Sequence, residues 1–213
     1  MPNWCDNQVS ITGPNSVINK IEKIVNEEKD TEGLLQFMYP MPQELKDTTA
    51  DGSENKEMIK KYGHSDWYGW ATDNWGTKWD INEFYGVDRQ EISDDESTIS
   101  FAFQSAWAPP TGAYENFISE NSECSLEAIY YEGGCDFMGI WDNGDDRGYT
   151  VSEAAPEGSK DLFWQSGDGA ELDESFNITE SMAEYEAEQE ADKEDVHEYV
   201  KGNPVNIKLG EEA

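Results

Sequence analysis

The run TISFAFQSAW, residues 98–107, constrains the fold more than any other stretch of this chain. Ile99, Phe101 and Phe103 alternate with Ser100, Ala102 and Gln104. A period of two with bulky apolar residues on one side is a strand with one buried and one polar face. Such a strand needs neighbours in a sheet and a layer of helix over its apolar side. Residues 6–13 offer a neighbour, with Val9 and Ile11 at period two before Gly13. Pro14-Asn15-Ser16 then opens a helix in which Val17, Ile18, Ile21, Ile24 and Val25 share one face. LLQFMYPMP (34–42) reads as a second extended segment, stopped by Pro40 and Pro42. Residues 81–92 read as a strand, 93–97 as a turn, and 110–121 as a second helix with Tyr114, Phe117 and Ile118 inward. Residues 125–134 and 135–144 read as a hairpin through Glu132-Gly133-Gly134. The order is β-α-β, insertion, β, β-α-β-β. The expected class is α+β: a ferredoxin-like antiparallel sheet with two helices on one face.

The organisation follows from shifts in composition. Residues 1–145 form the expected ferredoxin-like domain, with an insertion at about 44–80 that carries a short helix near 54–62. Residues 146–177 read as a turn-rich connecting segment with a short strand at 161–166. Residues 178–213 read as an acidic helical extension. Asn177 precedes Glu180 by three, the spacing of a capping box, and a helix is expected from about 178 to 200, ended by Gly202 and Pro204. Its apolar residues are few, so the core is not expected to need it.

Charge limits the partners. The chain of 213 residues holds 47 Asp+Glu against 14 Lys+Arg, a net charge of −33. Residues 1–150 carry 29 acids and 10 bases (29 − 10 = 19 negative charges), and 151–213 carry 18 and 4 (18 − 4 = 14). A surface this acidic repels phosphate backbones, which excludes a direct nucleic-acid binder. It suits a protein with a basic nucleic-acid-binding surface, a cation, or saline solvent. Aromatic residues make up 12% of the chain, far above what a disordered acidic sequence holds, so most of it is expected to fold. Glu184, Glu186, Glu188, Glu190, Asp192, Glu194 and Asp195 crowd the extension and are the candidate partner-binding face, able to imitate the phosphates of a duplex.

Few motifs speak for chemistry. Cys5, Cys124 and Cys135 form no C-x-x-C pair, and His64 and His197 lie near no cysteine pair in sequence, so neither a zinc site nor a cofactor is expected. Cys5 in WCDN has no base beside it in sequence and reads as a structural thiol rather than a nucleophile. DNGDDRG (142–148) and SGDGAELDE (166–174) cluster carboxylates with glycine without the spacing of a calcium loop. There is no phosphate-binding loop, nucleophile elbow, zincin or dinucleotide fingerprint. The expectation is a protein that is not an enzyme. No signal-like or membrane-length apolar run is visible, which points to a soluble intracellular protein with free thiols.

The stretch NWGTKWD (74–80) has two readings. In one, Trp75 and Trp79 pack over an end of the sheet, Gly76 supplies a turn, and Asn74 or Asp80 caps backbone groups. In the other, Trp75, Trp79 and Trp107 wall an aromatic pocket with Lys78 as its cation and Asn74 and Asp80 as polar groups. Such a pocket would take a small ligand or a nucleotide.

MPNWCDNQVSITG at the N-terminus, NWGTKWD, FQSAWAPP (103–110) and YYEGGCDFMGIW (130–141), in that order, resemble the YubB-type ferredoxin-like family of bacteriophages and conjugative plasmids. The resemblance covers roughly residues 1–145. It implies the ferredoxin-like core, a mobile-element origin and the cytoplasm of a host cell, and no known reaction. With the charge, it implies an accessory protein that binds and inhibits a host DNA-handling or defence protein, as a DNA mimic. The alternative is a ligand sponge built on the tryptophan pocket.

Overall fold

A computed structural model describes residues 3–26, 33–154, 160–185 and 187. Six strands form one antiparallel sheet: β1 (Trp4–Pro14), β2 (Tyr85–Glu91), β3 (Glu96–Ala106), β4 (Ser125–Glu132), β5 (Phe137–Asp142) and β6 (Asp145–Thr150). Their order in space is β2-β3-β1-β4-β5-β6. The first helix, α1 (Asn15–Asn26), follows β1 directly. Four short helices then fill the span before β2: α2 (Leu34–Met38), α3 (Gln43–Lys46), α4 (Lys56–Tyr62) and α5 (Trp67–Asn74). Helix α6 (Thr111–Glu120) joins β3 to β4, and α7 (Lys160–Phe163) and α8 (Asp168–Phe176) follow β6. The protein is thus α+β.

Alternation decides which side of the sheet is covered first. The odd residues of β1 and β3, among them Val9, Ile11, Ile99, Phe101 and Phe103, are buried against Ile18 and Ile21 of α1 and Phe117 of α6. Trp70 and Trp75 of the insertion join this core, so the insertion folds onto the domain rather than away from it. The strands that the alternation foretold pair in full register, from Trp4↔Ala106 to Pro14↔Glu96.

The opposite face holds a second core. Ile129, Met138 and Ile140 are buried there with Val151, Leu172 and Ile178. Helices are therefore not confined to one face: α8 and the helical residues 178–185 cover the β4–β5 half of the other side. Ile178, at the start of the extension, is fully buried in this second core. The rest of the expected 178–200 helix, apart from residue 187, lies outside the described residues.

Three local readings change. Residues 34–38 are helical, not extended; Leu34, Leu35 and Met38 share a buried helical face. Residues 160–163 form helix where a strand was expected, and the connecting segment carries α7 and α8 rather than turns alone. Residues 145–150 form β6. Its hairpin turns on Asn143 and Gly144, both at positive φ (47° and 98°), the conformation that an Asn-Gly pair adopts readily.

Candidate functional site

The segment 74–80 leaves α5 and crosses the sheet end where β1 begins and β3 ends. Most of its polar groups serve the fold. Asn74 Oδ1 accepts from Tyr39 Oη at 3.0 Å, and its Nδ2 donates to the Trp70 carbonyl at 2.9 Å. Trp75 is buried, and its Nε1 donates to the Tyr39 carbonyl at 2.8 Å. Gly76 takes φ +88° and passes so close to the Pro109 carbonyl that a side chain would crowd it. Thr77 is buried and donates to the Ala106 carbonyl at 2.7 Å. Asp80 Oδ1 accepts from the backbone N–H groups of Leu35 and Ile81, both at 2.8 Å, and so satisfies the start of α2. Burial pushes the Asp80 carboxyl above its usual range, and the surrounding backbone N–H groups offset this only in part.

Lys78 and Trp79 are different. Trp79 is 39% exposed and lies 6.0 Å from the ring of Trp4, itself 46% exposed. The Lys78 ammonium sits 4.4 Å from the centre of the Trp79 ring and 5.6 Å from that of Tyr68. Trp75, Lys78, Trp79 and Asp80 line one cleft of about 330 Å³, together with Gln36, Met41, Lys46, Trp67 and Asn82. Trp107 and Asn74 are not among its walls. The spacing therefore brings four of the six candidate residues to one cleft, while Trp67 and Lys46 were missed. Trp67 lay in the aromatic run SDWYGW, and Lys46 is one of only 14 basic residues, so each left a trace in the sequence.

Trp107 belongs to the sheet end. Its backbone N–H donates to the Asn3 carbonyl at 3.0 Å, beside the Trp4↔Ala106 pair. It holds φ at +75° and is 47% exposed. A left-handed conformation on so bulky a residue is strained by about 1–3 kcal/mol. Trp4, Trp79 and Trp107 thus gather at one end of the sheet. Asp6, two residues along the same face of β1, accepts from Gln104 Nε2 at 2.9 Å, and Tyr85 on β2 is 49% exposed. The Asp6 charge adds to the burial that raises the Tyr85 hydroxyl pKa.

The two buried thiols are held protonated. Burial pushes Cys5 to about 12 and Cys124 to about 11. Cys135 is exposed and is raised by its hydrogen bond to Glu132. The described residues contain no group of three or more His, Cys, Asp or Glu able to hold a metal ion, and no helix long and apolar enough to cross a membrane. Of the acidic partner-binding face, Glu184 is exposed. Glu186, Glu188, Glu190, Asp192, Glu194 and Asp195 lie outside the described residues.

No family model matches the chain, and no curated protein is significantly similar to it. Among solved structures, the crystal structure of a protein api92 from Yersinia pseudotuberculosis, of the family model DUF1281, is similar with a TM-score of 0.38 and 11% identity, over 70% of this chain and 98% of that one.

Proposed function

We propose that this chain is a non-enzymatic binding protein that occupies the basic surface of a partner, of the kind DNA-handling proteins carry. The observation that carries the reading is the gathering of Trp4, Trp79 and Trp107, each close to half exposed, at one sheet end of a chain with net charge −33. Tryptophan and arginine dominate the energetics of protein interfaces, and an indole face beside a carboxylate receives a guanidinium well. Asp6 supplies that carboxylate on the same face as Trp4. The backbone strain at Trp107 supports the reading, because it holds a large side chain in water rather than burying it.

A mobile-element origin and inhibition of a host defence or DNA-handling protein extend this proposal; they rest on the sequence resemblance and the charge. The finer fold reading joins them. We take β1-α1-β2-β3-α6-β4 as a ferredoxin-like core, supported by the order β2-β3-β1-β4 and by two β-α-β crossovers. The insertion enters the first crossover, and β5 and β6 extend the β4 edge.

The test is affinity capture from a bacterial lysate on the immobilised full chain. A basic protein should be retained in dilute salt, released by duplex DNA, and lost from a Trp4→Ala/Trp107→Ala variant. Retention that ignores both DNA and the tryptophans contradicts the proposal.

A further inference from the structure

The cleft beside Trp79 has a chemistry that a basic partner would not use. Acids outnumber bases 47 to 14 in this chain, and three of its described cations meet carboxylates. Lys61 pairs with Glu44, Arg89 with Glu22, and Arg147 with Asp145 and Asp168. Lys78 does not: among the described residues no carboxylate oxygen lies within 4.0 Å of its ammonium, which rests on two aromatic rings instead. Lys46 also lines the cleft. The carboxylate that lines the cleft, Asp80, has its Oδ1 taken up by the backbone N–H groups of Leu35 and Ile81. An incoming anion therefore meets a cation that has no carboxylate against it among the described residues, and an acid whose Oδ1 is already engaged by backbone N–H groups.

We propose that this cleft binds a small anion carrying a flat aromatic ring, of the class of a mononucleotide. The indole of Trp67 offers the ring a stacking wall, and the Lys78 ammonium takes the charged group. The volume of about 330 Å³ sits at the small end of ligand sites. It suits one ring and one charged group, and the acidity of the surrounding surface turns away a polymer of phosphates. Trp4 and Trp107 lie outside this cleft, but Trp79 lines it and packs on Trp4, so the two proposals share that residue and Lys78→Gln is the change that separates them.

The experiment is isothermal titration of the full chain with the four common nucleoside monophosphates, with adenosine, and with inorganic phosphate. At least one monophosphate should bind, with the nucleoside and phosphate each weaker by about tenfold or more, as expected for losing a stacked ring or a charge-assisted bond. Lys78→Gln, a change at a surface-accessible side chain with no ion pair among the described residues, should weaken the monophosphate by about tenfold at an unchanged urea midpoint. Absence of heat for all four at millimolar concentration overturns the proposal. So does phosphate binding as tightly as the nucleotide, or affinity indifferent to Lys78→Gln.

Discussion

Trp75 and Trp79 stand four residues apart, yet replacing each by alanine should have very different consequences. Trp75 is 4% exposed and packs edge-on against Trp70 at 5.6 Å. Its removal leaves a core cavity, worth about 3–5 kcal/mol for a large aromatic. It also strips the Tyr39 carbonyl of the 2.8 Å bond from Nε1. An acceptor left dry adds about 1 kcal/mol or more. A loss of about 5 kcal/mol is a large share of the 5–15 kcal/mol that holds a typical domain together. Trp79 keeps 39% of its surface in water, and its contacts are the Trp4 ring and the Lys78 ammonium. An aromatic pair and an exposed cation–π contact together contribute about 1–2 kcal/mol. Urea unfolding followed by far-UV circular dichroism separates the two. With a slope of about 2–3 kcal/mol per molar, Trp75→Ala should lower the midpoint by about 2 M and Trp79→Ala by less than about 1 M. Equal shifts for the two variants would refute the assignment of one to the core and the other to the surface.

Further outcomes follow from the second face and the thiols. Ile178→Ala should cost about 3 kcal/mol in urea unfolding, because its side chain is fully buried beside Leu172; a neutral result would show that 178–185 does not dock. Asp168 accepts from Tyr149 Oη at 2.6 Å and Arg147 Nε at 2.8 Å, and these two partners hold its carboxyl below the usual range. A depressed pKa contributes stability that is present above the unfolded value near 4 and lost as pH falls through the folded one. The stability difference between wild type and Asp168→Asn, about 1 kcal/mol near neutrality, should therefore shrink on acidification below about pH 4; a difference that stays constant rules the linkage out. A disulfide reagent at pH 8 should modify one thiol quickly, Cys135, and the buried Cys5 and Cys124 only on unfolding; three fast thiols would contradict their burial.

What the sequence revealed depended on how local each cause was. The strands at 6–13 and 98–107 and the helix opened by Pro14-Asn15-Ser16 carry their own periodicity, and β1, β3 and α1 stand there to within one or two residues at the ends that are described. Residues 34–38 did not, because the group that satisfies the start of α2 is Asp80, 45 positions away from Leu35. Followed by Pro40 and Pro42 and without a local cap, the segment looks extended in sequence. Strand β6 has the sequence DDRGYT, with one large apolar side chain, and its single local signal was the Asn-Gly turn before it. Helix α8 buries only Gly169 and Leu172, too little to show a helical stripe. The site was half legible for a similar reason. A spacing of four suggests one shared face, but α5 stops at Asn74 and Gly76 turns the chain at positive φ. Trp75 is left inside and Trp79 outside. Trp107 was grouped with them by residue type, whereas the β1–β3 register sets it at the sheet end beside Trp4.

The central claim is that the tryptophan end of the sheet meets a basic partner. The most direct measurement is site-specific photo-crosslinking in a bacterial lysate, with benzoylphenylalanine placed at Trp107 or, as a comparison, at Ile59, which is 37% exposed on α4. The account predicts a discrete adduct with a basic protein from position 107, none from position 59, and loss of the adduct when duplex DNA is added. Adducts of equal yield from both positions, or a position-107 adduct that DNA leaves untouched, would contradict it.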